Sequence, residues 1–174
     1  MKFLSHSILP LLLAATLLAP SCSSDDDGGT RPTPTGYDIY TAGYKTPGGK
    51  AVATVWKNGT ELYTLTDGSS YAEATALFRT GNSLYAAGYY MDGFEEEGVV
   101  WKNGQEFFDL SDGQASGCQP YAIAVYGGDI FTAGTLFGTT RTAVVWHGED
   151  IRYTLTDGSG HGEAYSMYVV PRYD

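Results

Sequence analysis

Between Tyr37 and Asp174 the chain is written in short runs of Val, Ile, Tyr, Phe and Thr, cut by turns that contain glycine. No stretch keeps apolar residues at a spacing of 3.6 over three turns, so the pattern predicts strands and no helix. The runs recur. Trp56, Trp101 and Trp146 stand 45 residues apart, as do Asp67, Asp112 and Asp157, each followed by glycine. Ile39-Tyr40-Thr41-Ala42-Gly43 returns as Leu84-Tyr85-Ala86-Ala87-Gly88 and as Ile130-Phe131-Thr132-Ala133-Gly134. A fixed period of this length marks units that bury their apolar faces against their neighbours.

The middle unit predicts four strands, Ala74–Arg79, Ser83–Tyr90, Gly98–Lys102 and Gln105–Leu110. Thr80-Gly81-Asn82 joins the first to the second and Asn103-Gly104 the third to the fourth, both at hairpin length. Longer links, Met91 to Glu97 and Ser111 to Gln119, follow the second and fourth strands. Four antiparallel strands and a crossing loop describe one blade of a β-propeller. The alanine-rich first strands suit an innermost position, where blades crowd around an axis. Repeated tryptophans in this pattern are expected between sheets, each with its N–H on a backbone acceptor. The Asp-Gly pairs are expected to be turns.

Trp56-Lys57-Asn58-Gly59 and Leu65-Thr66-Asp67-Gly68, with their counterparts, resemble the propeller-like repeats of exported bacterial proteins. The resemblance covers the whole region 37–174; it implies an architecture and no reaction. The all-β expectation is thus three four-stranded antiparallel blades. The first begins at its second strand (Tyr37–Tyr44) and is completed by a strand at Ala164–Val170. Since propellers carry four to eight blades, three closures are open. Two copies exchange the Ala164–Val170 strand into a six-bladed homodimer, three sheets close as a compact trefoil or prism-like fold, or the array is an open fan.

Residues 1–22 read as an export leader: Lys2, an apolar run from Ile8 to Leu18, then Ala19-Pro20-Ser21-Cys22. The segment resembles a bacterial lipoprotein signal, which implies lipidation of Cys22 and a membrane anchor. It departs from the usual motif in having Ala19 where leucine is usual. Residues 23–36 lack apolar residues able to join a core and predict a flexible tether. Within it, Asp25-Asp26-Asp27 resembles the surface-export signal of some outer-membrane lipoproteins, which points to the bacterial envelope, at the outer membrane. The second cysteine, Cys118, then has no disulfide partner.

Charge narrows the partners. Without Lys2 the chain has 20 acidic against 9 basic residues, a formal charge of about −11. This argues against nucleic acid and anionic head groups as ligands. Antiparallel geometry puts the tight turns at one end of the sheets and the long loops at the other, where function usually sits. The long-loop end collects Tyr44, Tyr71, Glu73, Tyr89, Tyr90, Phe94, Phe137, His161 and Glu163. Aromatic faces beside carboxylates suit a glycan, or else a protein ligand; the alternative is a structural or truncated repeat protein without ligand, in which the abundant tyrosines (14 residues) simply cover sheet edges.

Catalysis is not expected. Asp157-Gly158-Ser159-Gly160-His161-Gly162-Glu163 matches the template Asp67-Gly68-Ser69-Ser70-Tyr71-Ala72-Glu73 except at His161, and such near neighbours do not form a triad. The histidines have no zinc spacing, and no cofactor is implied. Glu73 and Glu163 leave a propeller-type glycoside hydrolase as the lesser alternative.

Overall fold

The computed structural model describes residues 33–110 and 116–173. The leader, Cys22, most of the tether (23–32) and Asp112 lie outside the described residues. The described chain holds strands and no helix. Sheet 1 contains β1 (Tyr40–Lys45), β2 (Val52–Lys57) and β3 (Thr60–Thr64). Sheet 2 contains β4 (Ala72–Thr80), β5 (Ser83–Asp92), β6 (Glu95–Lys102) and β7 (Gln105–Asp109). Sheet 3 contains β8 (Cys118–Tyr126), β9 (Asp129–Leu136), β10 (Thr142–His147) and β11 (Asp150–Thr154). Each is an antiparallel meander with its strands paired in chain order.

Turn chemistry sets the hairpins. Asn58 and Asn103 take φ of 51° and 52°, and the glycines that follow them also have positive φ, as a two-residue hairpin requires. Each asparagine also ties the turn to the preceding strand. Asn58 Oδ1 accepts from Ile39 N at 2.8 Å and Asn103 Oδ1 accepts from Leu84 N at 2.9 Å. In sheet 3 Gly148 occupies this place, and its N–H donates to Ile130 O at 2.9 Å. A bulge recurs just before each tryptophan, at Val55/Trp56, Val100/Trp101 and Val145/Trp146.

Period-2 alternation gives the middle sheet two apolar faces, and each packs on a different neighbour. Leu84, Ala86, Val99 and Trp101 meet Ala53 and Val55 of sheet 1, flanked by Tyr63 and Leu65. Tyr85, Ala87 and Val100 meet Ile123, Val125, Ile130, Val144 and Trp146 of sheet 3. Leu110, just past β7, and Cys118 are sealed in that second core. The innermost strands lie in a row, with β1 beside β4 and β4 beside β8. Among the described residues no core joins sheet 1 to sheet 3.

Four expectations are corrected. Residues 164–170 form no strand and do not complete sheet 1, which therefore has three strands. The row explains this: the segment runs along β8, with the Tyr165 ring 5.1 Å from the Tyr121 ring and Tyr173 Oη 3.1 Å from Tyr126 Oη. The edge of sheet 1 that a first strand would join belongs to β1, at the other end of the row. The first strand starts at Tyr40 instead of Tyr37. Residues 91–97 are no long loop, because β5 and β6 stay paired out to Asp92↔Glu95 around Gly93-Phe94. Finally, neither indole N–H of Trp101 and Trp146 meets a protein acceptor among the described residues.

Trp101 and Trp146 are fully buried, whereas Trp56 is only half-buried because no sheet among the described residues covers its face. Replacing Trp101 or Trp146 with alanine is expected to cost about 3–5 kcal/mol in urea denaturation. Trp56→Ala should cost clearly less. Trp101→Phe should lose only about 1–2 kcal/mol, since it removes an unpaired buried N–H along with ring volume. Equal losses at all three tryptophans would contradict this packing.

Candidate functional site

The long-loop end is built from the outer halves of β4, β5, β6, β8 and β9. Glu73 on β4 stands opposite Tyr89 on β5, and Gln119 on β8 stands opposite Thr135 on β9. Bulges follow at Ala74/Ala76 and Pro120/Ala122, features that bend a strand and re-aim its side chains. The two sheets are stitched here by Thr75 Oγ1, which donates to Pro120 O and lies 3.1 Å from Ala87 O of its own sheet.

Of the sequence-predicted residues, four converge. Tyr44, Tyr71, Glu73 and Tyr89, with Thr46, Ala51 and Ala72, line a cleft of about 310 Å³ between sheets 1 and 2. Tyr44 and Tyr71 are about half exposed, so their rings are available as platforms. Tyr89 Oη donates to Glu73 Oε2 at 3.3 Å. Burial, followed by the negative charges of Glu73 and Glu96, pushes the Tyr89 phenol up to about 12. Burial also raises the Tyr121 phenol nearby, ahead of the charge of Glu163.

A second cleft of about 300 Å³ lies between sheets 2 and 3, lined by Phe94, Glu96, Ser116, Gln119, Phe137 and Arg141. Phe94 projects fully into solvent at the β5–β6 turn. Burial raises the Glu96 carboxyl above its usual range, and the charge of Arg141 opposes that rise. Arg141 spans this cleft: its guanidinium lies 5.5 Å from the Phe137 ring centroid and pairs with Glu163, which also accepts from Tyr165 Oη. Those two hydrogen bonds, the Tyr165 one first, hold the Glu163 carboxyl below its usual range. His161 Nδ1 accepts from Arg141 N at 3.1 Å, so it closes a loop.

Tyr90 is separated from these residues. It points to the opposite face of β5 and joins Leu65, Met91, Asp92 and Glu106 around a cleft of about 440 Å³. Glu73 lines the first of these clefts, and Glu163 lines none of the three. Asp67 and Asp157 each accept from the backbone N–H two residues on, Ser69 at 2.8 Å and Ser159 at 2.9 Å, while Gly68 and Gly158 take positive φ. The residue that sequence reasoning missed is Arg141, just past the expected loop of residues 135–140. Its one signal is a departure from the repeat, since Arg141 stands where the earlier units have Ala51 and Glu96.

Comparison with known proteins returned no matching family model, no matching characterised protein and no matching solved structure.

A raised phenol pKa sets the sign of an alkaline effect. Stability that comes from keeping Tyr89 neutral is intact below about pH 10 and is lost as pH rises towards about 12. In a series of denaturation curves from pH 9 upwards, Tyr89→Phe is expected to lose less stability than the unaltered protein. Parallel losses would show that the phenol is not held in this environment.

Proposed function

We propose that this chain is a non-catalytic binding module of the bacterial envelope, anchored by lipid at Cys22, whose long-loop end takes a glycan. Its three sheets are read as propeller-type blades around the row formed by β1, β4 and β8. The observation that carries the reading is the convergence of Tyr44, Tyr71 and Tyr89 with Glu73 on one open cleft. Ring faces can cover the C–H surface of a sugar, while the carboxylate and phenol meet its hydroxyls. The neighbouring cleft offers the same pairing in another form, with Phe94 and Phe137 beside Glu96, Gln119 and Arg141.

The leader and the acidic stretch at 25–27 support the address, and the tether at 23–36 would let the module stand away from the membrane. Hydrolysis of a glycoside commonly uses two carboxyl groups flanking one bond. Among the residues lining the first cleft Glu73 is the only carboxylate, and Glu163 is engaged with Arg141 and Tyr165. That arrangement supports the reading of binding without turnover. A protein ligand is the second reading, favoured by the exposed Phe94 at a loop tip.

Full-length protein in detergent should bind members of a glycan array, and Tyr71→Ala or Tyr44→Ala should weaken that binding by about tenfold or more without changing the circular dichroism spectrum. Absence of binding to any glycan would sink the glycan assignment. Turnover of a chromogenic glycoside, lost in Glu73→Gln, would replace the module with a hydrolase.

A further inference from the structure

The array has two finished joints between sheets, and each of its ends carries half of a third. At the first joint Val55, Tyr63 and Leu65 face Leu84 and Trp101. At the second, Val100, Phe108 and Leu110 face Ile130 and Trp146. One repeat further on, the first half of this set is Val145, Tyr153 and Leu155 on sheet 3, where Tyr153 and Leu155 are 56% and 53% exposed. One repeat earlier, the second half is Ile39 and Trp56 on sheet 1, where Ile39 is 62% exposed. The apolar residues that make both inner joints are therefore left open at opposite ends of the array.

A strand and a place for it are divided in the same way. Sheets 2 and 3 begin with β4 and β8, but sheet 1 begins with β1, a second strand whose outer edge is unpaired among the described residues. Residues 163–170 repeat the positions of β4 from Glu73 onward, yet pair with no strand, and Tyr168 is 91% exposed. An open edge of this kind is a template for another strand.

Gly43 adds an independent mark. At Gly88 an added Cβ would come within 2.8 Å of Ala74 Cα, and at Gly134 within 2.7 Å of Pro120 Cα, because the first strand of the sheet crosses there. Gly43 holds the same place on β1, but an added Cβ would meet only the Trp56 ring, at 3.5 Å. Its φ is not in the left-handed region. The close approach that glycine serves in sheets 2 and 3 is missing from sheet 1.

We propose that residues 163–170 add to the free edge of β1 in a second copy of this chain, and that two copies close head to tail into a ring of six sheets. The pairing in sheet 2, Ala74↔Gly88, Leu77↔Ala86 and Phe78↔Tyr85, sets the register. It puts Ala164 opposite Gly43, Met167 opposite Thr41 and Tyr168 opposite Tyr40. Tyr153 and Leu155 then cover Ile39 and Trp56 of the other copy. Six sheets lie within the four to eight over which such rings close, and a head-to-tail contact that closes leaves no uncovered end sheet. Glu163 is carried beside Tyr44 of the other copy, as Glu73 stands beside Tyr89, which creates a cleft from both chains. Only this last consequence rests on the long-loop end being a binding face.

The test is disulfide trapping of the full chain in its own membranes, with Thr41→Cys and Met167→Cys in one chain and each single variant as control. A species of twice the chain mass, present only when both cysteines are supplied, is the expected product. Co-expression of the two single variants should also yield it. A disulfide within one chain, a ladder of higher multiples, or no linkage would each overturn the proposal. Adding Gly43→Ala, for which the single chain has room, should cut the linked dimer by about tenfold or more while leaving the circular dichroism spectrum unchanged. Undiminished linkage would overturn the register. Glycan binding in the cleft between sheets 1 and 2 lies within one copy, so failure of the trap leaves that reading standing.

Discussion

A sheet with two apolar faces is stable only when both are covered, and this requirement organises the molecule. Each repeat is too small to enclose a core of its own; its side chains alternate between the sheet before and the sheet after. Sheet 2 has both neighbours, and its Trp101, Val99 and Val100 are almost wholly withdrawn from water. Sheets 1 and 3 each have one. The same residue type at the same repeat position is therefore buried in one sheet and exposed in another, as Leu110 and Leu155 show. Burying such a side chain is worth about 1.5–3 kcal/mol, so an uncovered end leaves appreciable stabilisation unrealised.

The stacking also creates the candidate site. Joining sheets at their first strands brings Glu73 and Gln119 to the same level at one end, with Tyr89 and Thr135 as their respective partners. Clefts open between neighbouring sheets towards their loops, and each sets aromatic rings beside a carboxylate, Glu73 in the first and Glu96 in the second. Differences between the clefts come from single departures from the template. Arg141 is the largest, because it draws Glu163, Phe137 and His161 into one network that the first cleft lacks.

Much of this was legible in the residues. Asn58-Gly59 and Asn103-Gly104 specify hairpins through backbone chemistry that acts within four residues, so the strand order followed directly. Trp101 and Trp146, marked by the period, lie in the cores between sheets, whereas Trp56 joins neither core. What depended on long-range packing was harder to read. Residues 164–170 have a strand's composition, but a strand needs an edge to join, and the nearest one within the chain lies beyond β8 and β4. Residues 91–97 are acid-rich around a single glycine and look like a loop, although they continue a hairpin whose partners hold them. Tyr89 and Tyr90 looked equivalent as neighbours, yet alternation along β5 sends them to different clefts.

Covered and uncovered sheet faces can be told apart in solution by amide hydrogen exchange at several protein concentrations. If sheet-on-sheet packing is completed between copies, amides in 164–170 and those on the outer edge of β1 slow together as concentration rises, approaching the protection of β4 and β8. Exchange of 164–170 at the rate of an unstructured chain at every concentration, beside fully protected β4 and β8, would contradict the account.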